Sequence, residues 1–296
     1  MPAKKPAKTS FLPAWLKKLV AYLWGPGRTL VIIVLLIAGL AIGTIAVWHY
    51  VGPHAISSGQ YTITQDRVFI TPQPGWIHTD VRGEVFRDAS LDGPLSILDE
   101  DLPKRISRAF AMHPWVAKVG PVRPSSPARI DVELVYRRPV CMVEVPGEPL
   151  PVDGEGVLLP NGDFSPVEKS SYPRLTGIDT GPIAPAGKSW GDGRVVGAAE
   201  IADAFGAVWQ QLKLDRLAVV PRAPIDAGGE PSYYLYTRGG TRIFWGLAPG
   251  SKSPSELPTA EKLARLLQYV TDHGTLEGNG GPQELDIRTL PSAKAK

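Results

Sequence analysis

Between Thr29 and Trp48 the chain reads TLVIIVLLIAGLAIGTIAVW, 20 residues without a charge. A helix of that length rises about 30 Å, the thickness of a bilayer's hydrocarbon core. A cleaved signal peptide and a buried core helix are the competing readings. The run is longer than a signal sequence's apolar region, and no clean small-x-small cleavage site follows it. A retained membrane anchor is therefore expected. Lys4, Lys5, Lys8, Lys17, Lys18 and Arg28 precede the run, and the first acid in the chain is Asp66. Positive flanks stay on the cytoplasmic side, so residues 1–28 are expected as a cytoplasmic basic tail, 29–48 as the transmembrane helix and the rest outside.

Setting those six cations aside, 26 of the 32 basic residues remain against 29 acidic ones, a balance of −3 for the outer part. The overall charge of +3 is thus a topology signal and gives no footprint for nucleic acid. Within the tail, FLPAWLKKLVAYLWG (11–25) reads either as an interfacial helix or as a basic flank with an aromatic belt. The single cysteine, Cys141, forbids an internal disulfide, and the alternation around it suits a small buried residue. The histidines at 49, 54, 78, 113 and 273 have no metal-ligand spacing. No metal, cofactor or small-molecule substrate is expected.

After a linker at 49–60, YTIT and RVFIT have the β-branched content of strands. HTDVRGEVF offers Thr79 as a helix cap with Val81, Val85 and Phe86 on one face. SILDEDLPKRISRAFAMH places Leu102, Ile106, Ala109 and Phe110 at helical spacing behind the acids Asp99, Glu100 and Asp101, which suit a helix N-terminus. Pro114 stops that helix, because the residue before a proline is driven from helical angles, and Trp115 can plug the core behind it. VAKVGPV and ARIDVELVY follow as strands, the second with Ile130, Val132 and Leu134 on its buried face. The order over 61–145 is β-α-α-β-β.

Downstream, VDGEG signals a hairpin, a helix is predicted over 194–212, and SYYLYTR and TRIFWGL pair across Gly239-Gly240. TAEKLARLLQYVTDHG is an amphipathic helix with Leu263, Leu266, Leu267 and Val270 inward and Gly274 as stop. ELDIRTL (284–290) is the last predicted strand, before a tail at 291–296. The fold class expected is α+β, the region 146–290 forming a second domain with an antiparallel sheet.

A basic tail and one anchor helix, followed by β-α-α-β-β carrying HPWVAKV and ARIDVELVYRRPV, resembles the FtsQ/DivIB family of bacterial cell-division proteins. VDGEGVLLP, YPRLTG, YYLYTRGGTRIFWG and LDIRTL match later family features in the same order. The resemblance covers about 61–290. It implies a POTRA domain at 61–145, a β domain at 146–290, and a single-pass protein of the cytoplasmic (inner) membrane with its bulk periplasmic. It implies a scaffold with no catalytic residues, which recruits FtsB- and FtsL-like partners through a terminal strand. Tyr136 stands where the family commonly has Glu, and Thr289 where it has the tyrosine of the contact surface.

A strand near the end of the sequence is expected to leave main-chain groups unsatisfied, and another chain can pair with them. The partner-binding residues expected on this ground are Leu285, Asp286, Ile287, Arg288, Thr289 and Leu290. Arg288 is assigned to grip a carboxylate, and a charge at Ile287 is expected to abolish recruitment while sparing the fold. The plainer reading is that this strand closes the sheet against the helix at 259–273. Pro114, Trp115, Val116 and Pro139 are expected to be structural. Two other functions compete. GKSWG fits Gly-x-Ser-x-Gly, with Ser189, Asp226 and His273 as a possible hydrolase triad, but a Pro/Gly loop precedes it where a strand is required. A P-loop reading of the same stretch fails because Pro182 stands where glycine is needed. A POTRA scaffold of an envelope assembly or secretion system is the remaining alternative.

Overall fold

The structure is a computed structural model that describes Lys18 and residues 28–56, 61–93, 95–125, 128–221, 229–254, 256–278 and 281–288. It divides into two compact units, Met1–Thr62 and Ile63–Lys296.

The first unit holds helix α1, Arg28–Ile56, of 29 residues. Its stretch Ile32–His49 has a mean hydropathy of 2.3, and none of it is buried. It is long and apolar enough to cross a membrane. The helix continues to Ile56, so most of the expected linker at 49–60 is helical.

In the second unit, Val68–Ile70 is β1, Val81–Asp88 is α2, Leu102–Met112 is α3, Val116–Ser125 is β2 and Arg129–Tyr136 is β3. The predicted β-α-α-β-β order is present, with a two-residue strand, Leu95–Ser96, added between the helices. Strand β3 lies in the middle of a three-stranded sheet, parallel to β1 and antiparallel to β2. Its alternate residues Ile130, Val132 and Leu134 are buried, as the period of two required. They join Val85 and Phe86 of α2 and Leu102, Ile106 and Phe110 of α3 in one apolar cluster. Helix α3 ends at Met112, and His113 before the proline is extended, with φ −73° and ψ 131°. Thr79 is not the cap expected. Asp80 occupies the N-cap position of α2, and the Thr79 hydroxyl donates to the carboxylate of Asp163 instead.

Seven further strands are β4 Pro139–Val143, β5 Leu150–Asp153, β6 Arg174–Thr176, β7 Leu214–Val219, β8 Ser232–Thr237, β9 Arg242–Leu247 and β10 Glu284–Asp286. They form a seven-stranded sheet in the order β10-β9-β8-β7-β6-β4-β5. This sheet is mixed, where an antiparallel one was expected: β4–β6, β6–β7 and β9–β10 pair in parallel. Each parallel pair is separated by an intervening helix or other long connection, as parallel pairing requires. Strand β4 belongs to this sheet, so the changeover between sheets falls at Arg137–Arg138, ahead of the expected boundary at 145.

Helix α4 (Pro166–Ser171) opens with a capping box between Ser165 and Glu168. The helix expected over 194–212 is two helices, α5 (Gly193–Phe205) and α6 (Val208–Gln211). They break at Gly206, whose φ of 48° favours glycine. Phe205 turns into the core, its ring 5.1 Å from that of Trp245 and 5.6 Å from that of Trp209. Helix α7 (Thr259–His273) buries Leu266, with Leu263, Leu267 and Val270 packed beside it. It ends where Gly274 takes φ 79° and its N–H bonds the Val270 carbonyl at 2.7 Å.

Candidate functional site

Strand β10 is the outermost strand of the seven-stranded sheet, with β9 its single neighbour among the described strands. The register pairs Arg242 with Glu284, Ile243 with Leu285 and Phe244 with Asp286. The Gln283 carbonyl accepts from Arg242 N–H at 2.9 Å, and Ile287 N–H donates to the Phe244 carbonyl at 3.3 Å. Main-chain groups alternate in direction along a strand, so those of Glu284 face away from β9.

Side chains alternate as well. Leu285 packs against the core and Ile287 is completely buried, while Glu284 and Arg288 are exposed. Ile287 is therefore a core residue, and its expected use as a surface contact is corrected. A charge there would have to leave water for an apolar cluster and would unfold the site it was meant to probe. The expected grip of Arg288 on a partner's carboxylate is corrected too. Its Nε donates to Asp286 Oδ1 at 3.0 Å and its Nη2 to Oδ2 at 2.6 Å, so the guanidinium fork is closed within the chain. That pairing lowers the Asp286 pKa and raises that of Arg288. Thr289 and Leu290 lie outside the described residues.

Helix α7 fixes this edge from within. Arg265 Nη1 donates to the carbonyls of Ile287 and Arg288 at 3.2 and 3.0 Å. Lys262, 1% exposed, pairs with Glu256, donates to the Leu247 carbonyl at 3.1 Å and stands 4.6 Å from the Trp245 ring centre. Burial pushes its pKa down, against the pull of Glu256. Glu256 also accepts from Leu247 N–H at 3.1 Å, so the end of β9 is held by a carboxylate and an ammonium together.

The outward face beside β10 was not anticipated. Arg216 lies over Tyr236 at 4.5 Å, Arg242 over Tyr234 at 4.9 Å and Arg288 over Phe244 at 4.6 Å. The rings of Tyr234 and Phe244 meet edge-on at 5.5 Å. A shallow groove of about 440 Å³ is lined by Tyr234, Arg242, Phe244 and Arg288 together with Glu284 and Asp286. Tyrosine, phenylalanine and arginine are residue types enriched where proteins bind one another. The signal lay in the period of two: Tyr234 and Tyr236 alternate in SYYLYTR, Arg242 and Phe244 in TRIFWGL.

Trp115 and Val116 are buried, Pro139 opens β4 in a buried position, and Pro114 follows the end of α3. A larger cavity of about 530 Å³ lies near Met142, Phe164 and Pro149, but its charges answer each other in the pairs Glu144–Arg174 and Glu148–Lys169.

Of the hydrolase residues, Ser189 and His273 bond elsewhere and not to each other. Ser189 is exposed on a loop, its Oγ 3.4 Å from Gly191 N–H, and α5 begins only after the Asp192 cap. The His273 ring nitrogen lies 2.9 Å from the Tyr269 carbonyl with the two rings stacked at 4.1 Å, and Asp226 lies outside the described residues. Asp99 and Asp101 serve the start of α3, Asp99 accepting from Asp101 N–H at 3.0 Å and pairing with Arg105 at 3.2 Å. Among the described residues no three or more metal-ligating side chains converge. A comparison with protein-family models finds no match, and one with curated proteins finds none either.

Proposed function

We propose that this chain is a non-enzymatic, single-pass membrane scaffold of the bacterial cell-division machinery, of the FtsQ/DivIB kind. Its α1 helix spans the cytoplasmic membrane with the basic tail inside. Residues 61–137 are its POTRA domain, and the seven-stranded sheet is the β domain. A strand from an FtsB- or FtsL-like partner adds to β10, and the arginine–aromatic face beside it takes the partner's neighbouring side chains.

The observation that carries this reading is the position of β10 at the end of the sheet order, flanked by a groove of aromatic rings and arginines. An edge strand offers main-chain hydrogen bonds for affinity, and the rings beside it offer selectivity. The β-α-α-β-β order and the apolar helix α1 support the family assignment. A photo-crosslinking residue at position 284, in cells whose chromosomal copy is replaced, tests it. Capture of a small single-pass division protein is the expected result. Division that proceeds unchanged after depletion of the chain would overturn the reading.

A further inference from the structure

Asp163 lies in the short turn Asn161–Asp163 between β5 and α4, within the seven-stranded-sheet module. Both side chains that donate to its carboxylate come from the other module. Trp115 Nε1 donates to Oδ2 at 2.6 Å, and the Thr79 hydroxyl donates to Oδ1. Asp163 is 8% exposed and Trp115 is completely buried. Next to this node the rings of Trp115 and Phe164 stand 5.9 Å apart. Met142, Leu159 and Phe164, all from the larger module, complete the apolar cluster of the smaller one.

We propose that Asp163 is a latch that locks the two sheets into one cooperatively folding body, with the His113-Pro114-Trp115 corner as its keeper. Apolar contacts are non-directional and by themselves leave two surfaces able to slide. Two hydrogen bonds to one buried carboxylate are directional and set the angle between the modules. Opening the junction strands the carboxylate in an apolar setting or forces water into it, so the locked state is separated from partly open ones by a step. The corner is held for this purpose. Trp115 N–H bonds His113 Nδ1 at 3.2 Å, while His113 Nε2 lies 3.2 Å from Glu84. Pro114 seats against Gly187, where a Cβ would stand 2.8 Å from the Pro114 Cα; no larger residue fits, and the φ of 88° favours glycine as well. A second bridge, His78 to Glu168 at 3.1 Å, spans the same junction at its exposed rim.

The test is hydrogen–deuterium exchange on the full-length chain in detergent. Trp115→Phe removes the N–H along with the five-membered ring, leaving an aromatic ring in place; Thr79→Val removes the hydroxyl with little change of volume. Loss of a hydrogen bond to a buried charged group should speed local opening about tenfold or more. Segments 113–137 and 158–164 are expected to accelerate together by the same factor in each variant, with α7 and β8–β9 unchanged. Should Trp115→Phe prove too unstable to read, Thr79→Val alone must show the joint signature. Acceleration confined to one module, or none in either variant, overturns the latch.

Discussion

The guanidinium carbon of Arg288 stands 4.6 Å from the ring centre of Phe244, one strand away, while its nitrogens close on Asp286. Phe244 is thereby covered on its outer face by a cation that is itself held in place. The neighbouring residue, Ile287, points the other way into the core. Two adjacent positions thus have opposite roles, and substitution should separate them. Ile287→Ala should cost about 2–5 kcal/mol, the range for truncating a buried aliphatic chain. Arg288→Ala, on an exposed pair, should cost less than about 1 kcal/mol. Urea unfolding of the two variants checks the contrast; equal losses would contradict the assignment of faces.

Glu284 is exposed and its main-chain groups face away from β9. Proline there removes a donor that the sheet does not use, which an edge strand tolerates. Glu284→Pro should leave circular dichroism and the unfolding midpoint close to wild type, yet prevent partner capture. Retained co-purification at wild-type yield would show that strand addition at β10 is not the mode of binding.

Asp192 caps α5, and its hydrogen bonds from Arg194, followed by those from Thr180 and the Arg194 main chain, lower its pKa from 3.8 to about 2. A carboxylate depressed in the folded state contributes stability above its unfolded pKa and loses that contribution as pH falls through the folded one. The contribution is therefore complete above about pH 4 and fades toward about pH 2. Asp192→Asn should flatten this part of the stability profile, lowering stability above about pH 4 and changing little near pH 2. Chemical unfolding at a series of pH values provides the measurement.

Cys141 is completely buried in β4, and burial pushes its thiol up to about 12. The thiolate is the reactive form, so neither access nor ionisation favours modification. A thiol reagent at pH 8 should label the native protein no faster than it unfolds and label the urea-unfolded chain at once. Rapid native labelling would require an opening of the sheet at β4.

Most of the elements were legible because their signals are local. The uncharged run 29–48, the helical spacing of Leu102, Ile106 and Phe110, the alternation of Ile130, Val132 and Leu134, and the glycine stop after α7 each depend on a few neighbouring residues. What went astray had one distant cause and two local ones. Thr79 looked like a cap because a hydroxyl before a helix commonly is one, yet its hydroxyl serves a carboxylate 84 positions away. Arg288 looked available because the period of two, which places Asp286 on the same face two residues away, was not applied to LDIRTL. Gly206 breaks a helix that its neighbours would have continued.

The sequence by itself determined that this chain carries one apolar helix of membrane-spanning length, a β-α-α-β-β module and a last strand beginning at Glu284. These follow from hydrophobic period and turn chemistry, which act over a handful of residues. Tertiary structure alone decided that the second sheet is mixed, that three arginines lie over three rings beside β10, and that Asp163 joins two modules. Those facts are pairings between residues far apart in the chain. Such pairs are chosen by which surfaces can be buried together once the chain is compact, and no local pattern encodes them.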